Sequence, residues 1–454
     1  MHLVERLSER LSEPVQERDR DRAALHVLDW IGCALIGARS PLGSAVRRLG
    51  LDRRSARHVV GPGHRSDEEN ALINGSLGNI LELDDLDRQS IVHPGPVVVP
   101  AALAAIKMST ASSTRLLDAV TRGYEAAILV GRSFGHGHYE YWHPTATAGT
   151  FGAAAAASSA WELTIQQQAD ALGHAGTLAA GLWQCRLDGA DSKAIHCGHA
   201  ARSGLTAARC AAAGIRGAHR ILEGDKGVYV AMCKDPDPSL VASGGAWKIH
   251  ELTLKPWPAC RHAHAAIDCA LRLRSELRGR EVGTVSVSTY LDALAFCDRP
   301  TPRSDHDARF SIQHLVAIAL LDGEITLASS SPASRSRADV EQLARRIRVV
   351  EDARWTTRFP SIYGASLEAE VGTTRICLDV AYPLGDPENP LTSAQVIAKA
   401  VDLARHAGLP LDGAQRLADE TLRLSEDGDF WAWCHLFEAA LQSIAYEKHL
   451  NQET

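Results

Sequence analysis

A chain of 454 residues, 45% of them hydrophobic, is long enough to bury a sizeable core and to hold two or three domains. Its net charge of −7 is mild for that length and argues against nucleic acid or an anionic membrane surface as a partner. No basic-then-apolar leader and no run of about 18 apolar residues occurs, and ten scattered cysteines form no C-x-x-C pair. The sequence therefore predicts a cytoplasmic, membrane-free protein with reduced thiols.

Aromatic residues make up only 5% of the chain, and alanine is abundant, which favours closely packed helices. Ala24, Val27, Leu28, Ile31 and Leu35 recur at helical spacing. Residues 70–80, 98–106 and 118–134 are further predicted helices. Between the first two of these lies the stretch densest in chemistry, 81–100, reading LELDDLDRQSIVHPGPVVVP. Glu82, Asp84, Asp85 and Asp87 fall within six positions, followed by Arg88 and by His93-Pro94-Gly95. A helix running on from Asn79 would turn Glu82 and Asp85 to one side and Asp84 and Arg88 to another. Pro94 disfavours a helical His93, and Gly95 is free to take unusual angles. A carboxylate-rich helix end beside a loop histidine can supply a base and an acid. The same residues, taken alone, more often mean a solvated acidic helix end with a capping histidine.

Next comes Tyr141-Trp142-His143-Pro144-Thr145, running into the Ala-rich segment 151–157, a predicted buried helix. His143 and Thr145 stand at its N-terminus, where free N–H groups favour anions, though threonine capping explains them as well. Residues 188–205 crowd Lys193, His196, His199 and Arg202 together. His196 and His199 are three apart, a spacing that can bind metal, but no third ligand is evident nearby and no metal is assigned. Lys193 reads either as a clamp for a substrate carboxylate or as part of a cationic helix start.

The character changes near Trp247. Residues 251–255 alternate as a strand does, and Arg261 and His264 follow Pro256 and Pro258 at the start of a predicted helix, 263–273. Residues 283–290 and 346–350 are strand candidates, and 366–371 with 374–380 flank Gly372-Thr373 as a hairpin. Residues 312–321 and 340–345 read as helices, and Thr392 caps another through 407. The predicted architecture is mainly α: a large all-helical domain formed by 1–255 and 391–454, with a smaller α+β domain, 256–390, inserted in it. Such an arrangement makes a cleft suited to a small ligand.

Several segments in order now carry a resemblance. They are LELDD…HPG (81–95), GYE…WHPTATAGTFGAAAAA (123–157), K-x-x-H-x-G-x-A-A (193–201), LEGDKG (222–227), KPWPACRHAHAAID (255–268), ARFSIQHLVAIALLDG (308–323) and GDPENPLT (385–392). Together they resemble the MmgE/PrpD family, which includes 2-methylcitrate dehydratase, cis-aconitate decarboxylase and iminodisuccinate epimerase. The resemblance implies a helical domain with an inserted α+β lid, a homodimer, a site between the domains, and no metal or organic cofactor. It also implies that Asp84, His93, His143 and Lys193 are catalytic. Glu82, Asp85, Arg88, Thr145, Arg261 and His264 would bind substrate. Some positions depart from the family pattern. Glu82 stands where a leading Asp is usual, Leu86 replaces a threonine, the step from Asp85 to His93 is about one residue longer than in the decarboxylase, and His314 replaces a frequent tyrosine.

Each such reaction acts on a small di- or tricarboxylate and builds negative charge beside a carboxylate, which cations and donors must hold. The expectation is a cofactor-independent lyase resembling 2-methylcitrate dehydratase. An epimerase or a decarboxylase is the alternative, and a ligand-binding member without activity is the reading from a different class.

Overall fold

The computed structural model describes residues 1–49, 66–107, 109, 111–277 and 279–444. The expected C-terminal helical stretch, 391–454, thus runs ten residues past the described part. The protein is mainly helical with one four-stranded sheet. It divides into two compact units. The first comprises Met1–Ile80, Asp84–Leu252 and Thr392–Thr454, and the second Leu81–Leu83 with Thr253–Leu391.

In the first unit, α1 (Leu3–Leu11) and α2 (Glu17–Arg39) precede α3 (Pro41–Arg48) and α4 (Asp67–Asn79). A short loop leads from α4 to α5 (Gly95–Lys107), followed by α6 (Ser113–Ser133), α7 (Pro144–Ala160), α8 (Ile165–Leu178) and α9 (Ser192–Ala212). Small residues set how closely these helices cross. A Cβ on Gly123 of α6 would stand 2.5 Å from Val98 Cγ1 and 2.9 Å from the Gly152 carbonyl of α7. A Cβ on Gly152 would stand 2.7 Å from both Ala127 Cβ and the Gly123 carbonyl. The Ala run of α7 is buried all round, as expected of a helix with neighbours on every side.

The second unit holds α10 (His264–Leu277), β1 (Val285–Thr289), α11 (Ile312–Asp322), α12 (Ala338–Ala344), β2 (Ile347–Glu351), β3 (Ala365–Val371) and β4 (Thr374–Val380). The strand order is β2-β1-β3-β4. β1 and β2 run parallel, Val285 opposite Ile347, with α11 and α12 in the crossover. β1/β3 and β3/β4 are antiparallel, and β3/β4 close the hairpin across Gly372-Thr373 with Val371 opposite Thr374. Val285 and Val287 are buried, as their alternation predicts. The chain then returns to the first unit through α13 (Ser393–His406), α14 (Leu411–Leu422) and α15 (Phe430–Ser443), and Thr392 forms a capping box with Gln395.

Two expectations fail for identifiable reasons. The helix that would have carried Glu82, Asp84, Asp85 and Arg88 does not form. α4 stops at Asn79, Glu82 takes a positive φ of 58°, and the aspartates find distant partners instead of helix faces. No strand forms over 251–255. Lys248–Glu251 is a 3-10 turn, and the Leu254 N–H donates to the Gly385 carbonyl at 3.0 Å. The alternation there buries Leu252 and Leu254, and the following Pro256 and Pro258 lack the N–H that a ladder needs.

The Gly123–Gly152 crossing yields a direct test. Gly123→Val should lower stability by about 1–3 kcal/mol by overpacking, read as a lower urea midpoint. An unchanged midpoint would mean that the two helices are not in contact there.

Candidate active site

The loop joining α4 to α5 is built around buried carboxylates. Asp85 accepts from three donors: His26 Nδ1 of α2 at 2.7 Å, the Tyr124 hydroxyl of α6 at 2.8 Å, and the Gly95 N–H that opens α5 at 2.9 Å. Gly95 is helical rather than left-handed. Its lack of a side chain matters because a Cβ would lie 2.8 Å from Asp85 Oδ1 and 3.1 Å from the Tyr124 hydroxyl. Asp87 holds the far side of the loop. Arg132 grips it with Nε at 3.1 Å and Nη2 at 2.6 Å, Ser90 donates its N–H to it at 2.9 Å, and the Asp87 N–H bonds the Val92 carbonyl at 2.8 Å. Inside this bracket Ile91 sits at φ 57°, a left-handed conformation that a β-branched residue adopts only under external constraint.

The loop presents Asp84 and His93 together. Asp84 Oδ2 accepts from Asn79 Nδ2 at 2.7 Å and lies 3.0 Å from His93 Nδ1. The same Nδ1 is 2.8 Å from the Asp85 carbonyl, which can only accept, so Nδ1 carries the hydrogen and a neutral His93 has its lone pair on Nε2. The His93 N–H donates to Thr145 Oγ1 at 3.1 Å, tying the loop to the first turn of α7. Arg88 is buried in the same loop.

His143 is the N-cap residue of α7, followed by Pro144 in its first turn. Its N–H bonds the Gly181 carbonyl at 3.0 Å, and Trp183 N–H bonds the Tyr141 carbonyl at 2.9 Å, which fixes the turn. The ring lies 4.5 Å from that of Trp183, and Nδ1 is 3.3 Å from His196 Nδ1 in the first turns of α9. Nε2 is buried and has no hydrogen-bond partner among the described residues. Burial holds His143 well below the usual imidazole pKa. The positive charges of Lys193, His196 and His93 add to this, and Asp84 opposes it. Lys193, half-buried at the start of α9, is close enough for its charge to act on both His143 and His196.

The first unit therefore brings Asp84, Asp85, His93, His143, Thr145 and Lys193 into one neighbourhood, with distinct jobs. Asp85 is engaged by three protein donors and acts as an anchor. Thr145 is a tether whose O–H remains able to donate. Asp84, His93, His143 and Lys193 are the other titratable groups of that set. His199 faces Ser203 and Arg202 instead, at 3.3 Å and 3.5 Å. Among the described residues no group of three or more His, Cys, Asp or Glu side chains could hold a metal ion.

The second unit holds Glu82, Arg261 and His264. The buried Lys255 donates to the Glu82 carbonyl at 3.0 Å and lies 3.8 Å from its carboxylate, supporting the left-handed Glu82 backbone. Arg261 pairs with Asp386, which also accepts from Thr253 Oγ1 at 2.6 Å. One edge of the guanidinium is thus engaged within the protein, while Nε and Nη1 have no hydrogen-bond partner among the described residues. His264 Nε2 donates to the Ala259 carbonyl at 3.1 Å, and its ring packs against Trp257.

Sequence reasoning missed His26, Tyr124, Arg132, Lys255 and Asp386, and saw His196 only as half of a metal-like spacing. His26 and Tyr124 lie 59 and 39 positions from Asp85, so no local spacing could have marked them.

The fold and site define a mainly helical protein with a carboxylate-backed histidine and a second, uncharged histidine. Residues 5–241 match the MmgE/PrpD N-terminal domain and residues 257–424 the MmgE/PrpD C-terminal domain, so the chain belongs to the MmgE/PrpD family. It is similar to a cis-aconitate decarboxylase of Aspergillus terreus, 25% identical over 416 residues, covering 85% of this chain and 84% of that protein. The Mus musculus cis-aconitate decarboxylase is 26% identical over 330 residues, 67% of this chain and 65% of that one. The mitochondrial 2-methylcitrate dehydratase of Yarrowia lipolytica is 25% identical over 162 residues, 33% of this chain and 31% of that one.

Two tests follow. Tyr124→Phe keeps the ring but removes one donor to a buried carboxylate, and should cost about 1–3 kcal/mol in denaturant unfolding. No change would mean that Asp85 does not depend on that donor. The second concerns pH. The pKa of His143 is depressed, and burial pushes His138 down to about 4. The unfolded chain therefore takes up these protons first, near pH 6.5. The stability from keeping these groups neutral is fully present above about 6.5 and is lost as pH falls below it. The melting temperature should drop between about pH 7 and about pH 5, and His143→Asn should flatten that slope. An unchanged slope would mean that His143 is charged in the fold.

Proposed function

We propose that the protein is a cofactor-independent lyase for a small di- or tricarboxylate, dehydratase-like in its first step. The observation that carries this reading is the pairing of His93, backed by Asp84 at 3.0 Å, with an uncharged His143 whose Nε2 is open. His93 Nε2 takes the proton from the carbon next to a substrate carboxylate. Asp84 stabilises the imidazolium that forms. The electron pair moves into the carboxylate as an enediolate, which His143 Nε2 meets as a neutral donor when His196 holds Nδ1. Lys193 supplies the counter-charge. The enediolate then expels the β-hydroxyl, His93 returns its proton to that oxygen, and the products are water and a carbon–carbon double bond with His93 restored.

Decarboxylation is the second reading, favoured by the likeness to the Aspergillus terreus enzyme along most of both chains. There the carbon–carboxylate bond breaks to give CO2, and a protonated His93 delivers its proton to the carbanion carbon. In both readings Glu82, Arg88, Arg261 and His264 take the substrate-binding role. The protein acts as a cytoplasmic homodimer.

Purified protein with 2-methylcitrate or citrate should develop the ultraviolet absorbance of a new double bond. With cis-aconitate, release of CO2 would select the second reading. His93→Ala and His143→Ala should each lower kcat at least about 100-fold with folding intact. Lys193→Ala should raise KM more than it lowers kcat. Full activity of His93→Ala would remove the assignment.

A further inference from the structure

The second unit contains a cavity of about 630 Å3, formed where the C-terminal ends of α10 and α11 meet the residues before β1 and β2. Three arginines line it: Arg274, Arg280 and Arg346. The hydrogen bonds of each go to backbone carbonyls. Arg274 Nη1 bonds the Leu320 and Leu321 carbonyls at the end of α11. Arg280 reaches the Leu277 and Glu276 carbonyls at the end of α10, both at 3.2 Å. Arg346 Nη1 bonds the Val282 carbonyl at 3.0 Å. Carbonyls fix the position of a guanidinium without neutralising it.

Arginines nearby behave differently. Arg272 pairs with Asp268 at 2.7 Å, Arg337 with Asp339 at 2.8 Å, and Arg345 with Glu341 at 2.5 Å. Among the described residues none of the three cavity arginines has a carboxylate in ion-pair contact. Two carboxylates also line the cavity, and one of them, Asp339, is already held by Arg337; the other is Glu281. Each guanidinium carries five N–H donors, most of which the carbonyls leave unused. Three guanidiniums around one concavity, each without a carboxylate in ion-pair contact among the described residues, suit a ligand that brings several negative oxygens, because planar forks meet oxyanions with paired hydrogen bonds. Leu277, Val282 and Leu343 give the same cavity an apolar wall.

We infer that this cavity is a binding site for a small multivalent oxyanion, separate from the residues assigned to the lyase reaction. Phosphate groups and clustered carboxylates share the required chemistry. The test is calorimetric titration of the full-length protein with inorganic pyrophosphate and, in parallel, with citrate. Pyrophosphate should bind saturably, with affinity falling as salt is raised. Arg280→Ala/Arg346→Ala should weaken it at least tenfold while turnover and the far-ultraviolet spectrum stay unchanged. Arg280→Lys/Arg346→Lys should retain part of the affinity. Citrate competing with pyrophosphate in a manner lost in the alanine variant would make carboxylates the natural group, and its failure to compete would make it phosphate. Absence of saturable pyrophosphate binding, or binding that the alanine variant leaves intact, would overturn the inference and leave the arginines as helix caps. Loss of lyase activity in other experiments would not touch this result, because the arginines lie outside the proposed catalytic set.

Discussion

A single buried carboxylate, that of Asp85, ties together the parts on which the candidate site depends. Removing a carboxylate from water costs several kcal/mol unless its oxygens are satisfied. Here His26, Tyr124 and the Gly95 N–H satisfy them from α2, α6 and α5. Three helices are therefore referenced to one group, and the chain on either side of it has little freedom. Asp84, one residue earlier, is delivered to Asn79 and His93, and the Asp85 carbonyl fixes which nitrogen of His93 carries the hydrogen. The left-handed Ile91 fits this picture. The Asp87–Arg132 pair and the Asp85 anchor bracket the loop so tightly that one residue accepts an unfavourable backbone.

The two histidines have different surroundings. His93 has the Asp84 carboxylate beside its Nδ1. His143 has burial and a lysine against it, which favour the neutral ring. Thr145 links the two physically, since it accepts from the His93 backbone two residues beyond His143.

Much of the fold was legible in the sequence where the determinants are local. Strand candidates flanking Gly372-Thr373 marked the β3/β4 hairpin, and Thr392 marked the start of α13. The Ala run of α7 announced a helix buried on all sides. The failures came where tertiary contacts decide. The carboxylates of 82–87 read as a helix face because nothing nearby reveals that Asp85 will bond residues 59 and 39 positions away. Gly95 read as a residue free to take unusual angles, whereas its smallness serves a buried carboxylate. Residues 251–255 read as a strand because burial of alternate leucines looks the same whether or not a ladder forms. At the site, His93, His143 and Lys193 were visible as residue types in suggestive places, but the Asp84 contact of His93, the His196 contact of His143 and the burial of both histidines come only from the fold.

The most direct test of the account is proton NMR of the polycarboxylates in D2O, comparing the wild type with His93→Ala. If His93 moves a proton at carbon, the wild type acting on the unsaturated acid should put deuterium on the carbon beside a carboxylate of the product, whether it adds D2O or releases CO2, and His93→Ala should not. Turnover of the unsaturated acid by the wild type with no deuterium at carbon, or undiminished deuterium incorporation by His93→Ala, would contradict the account.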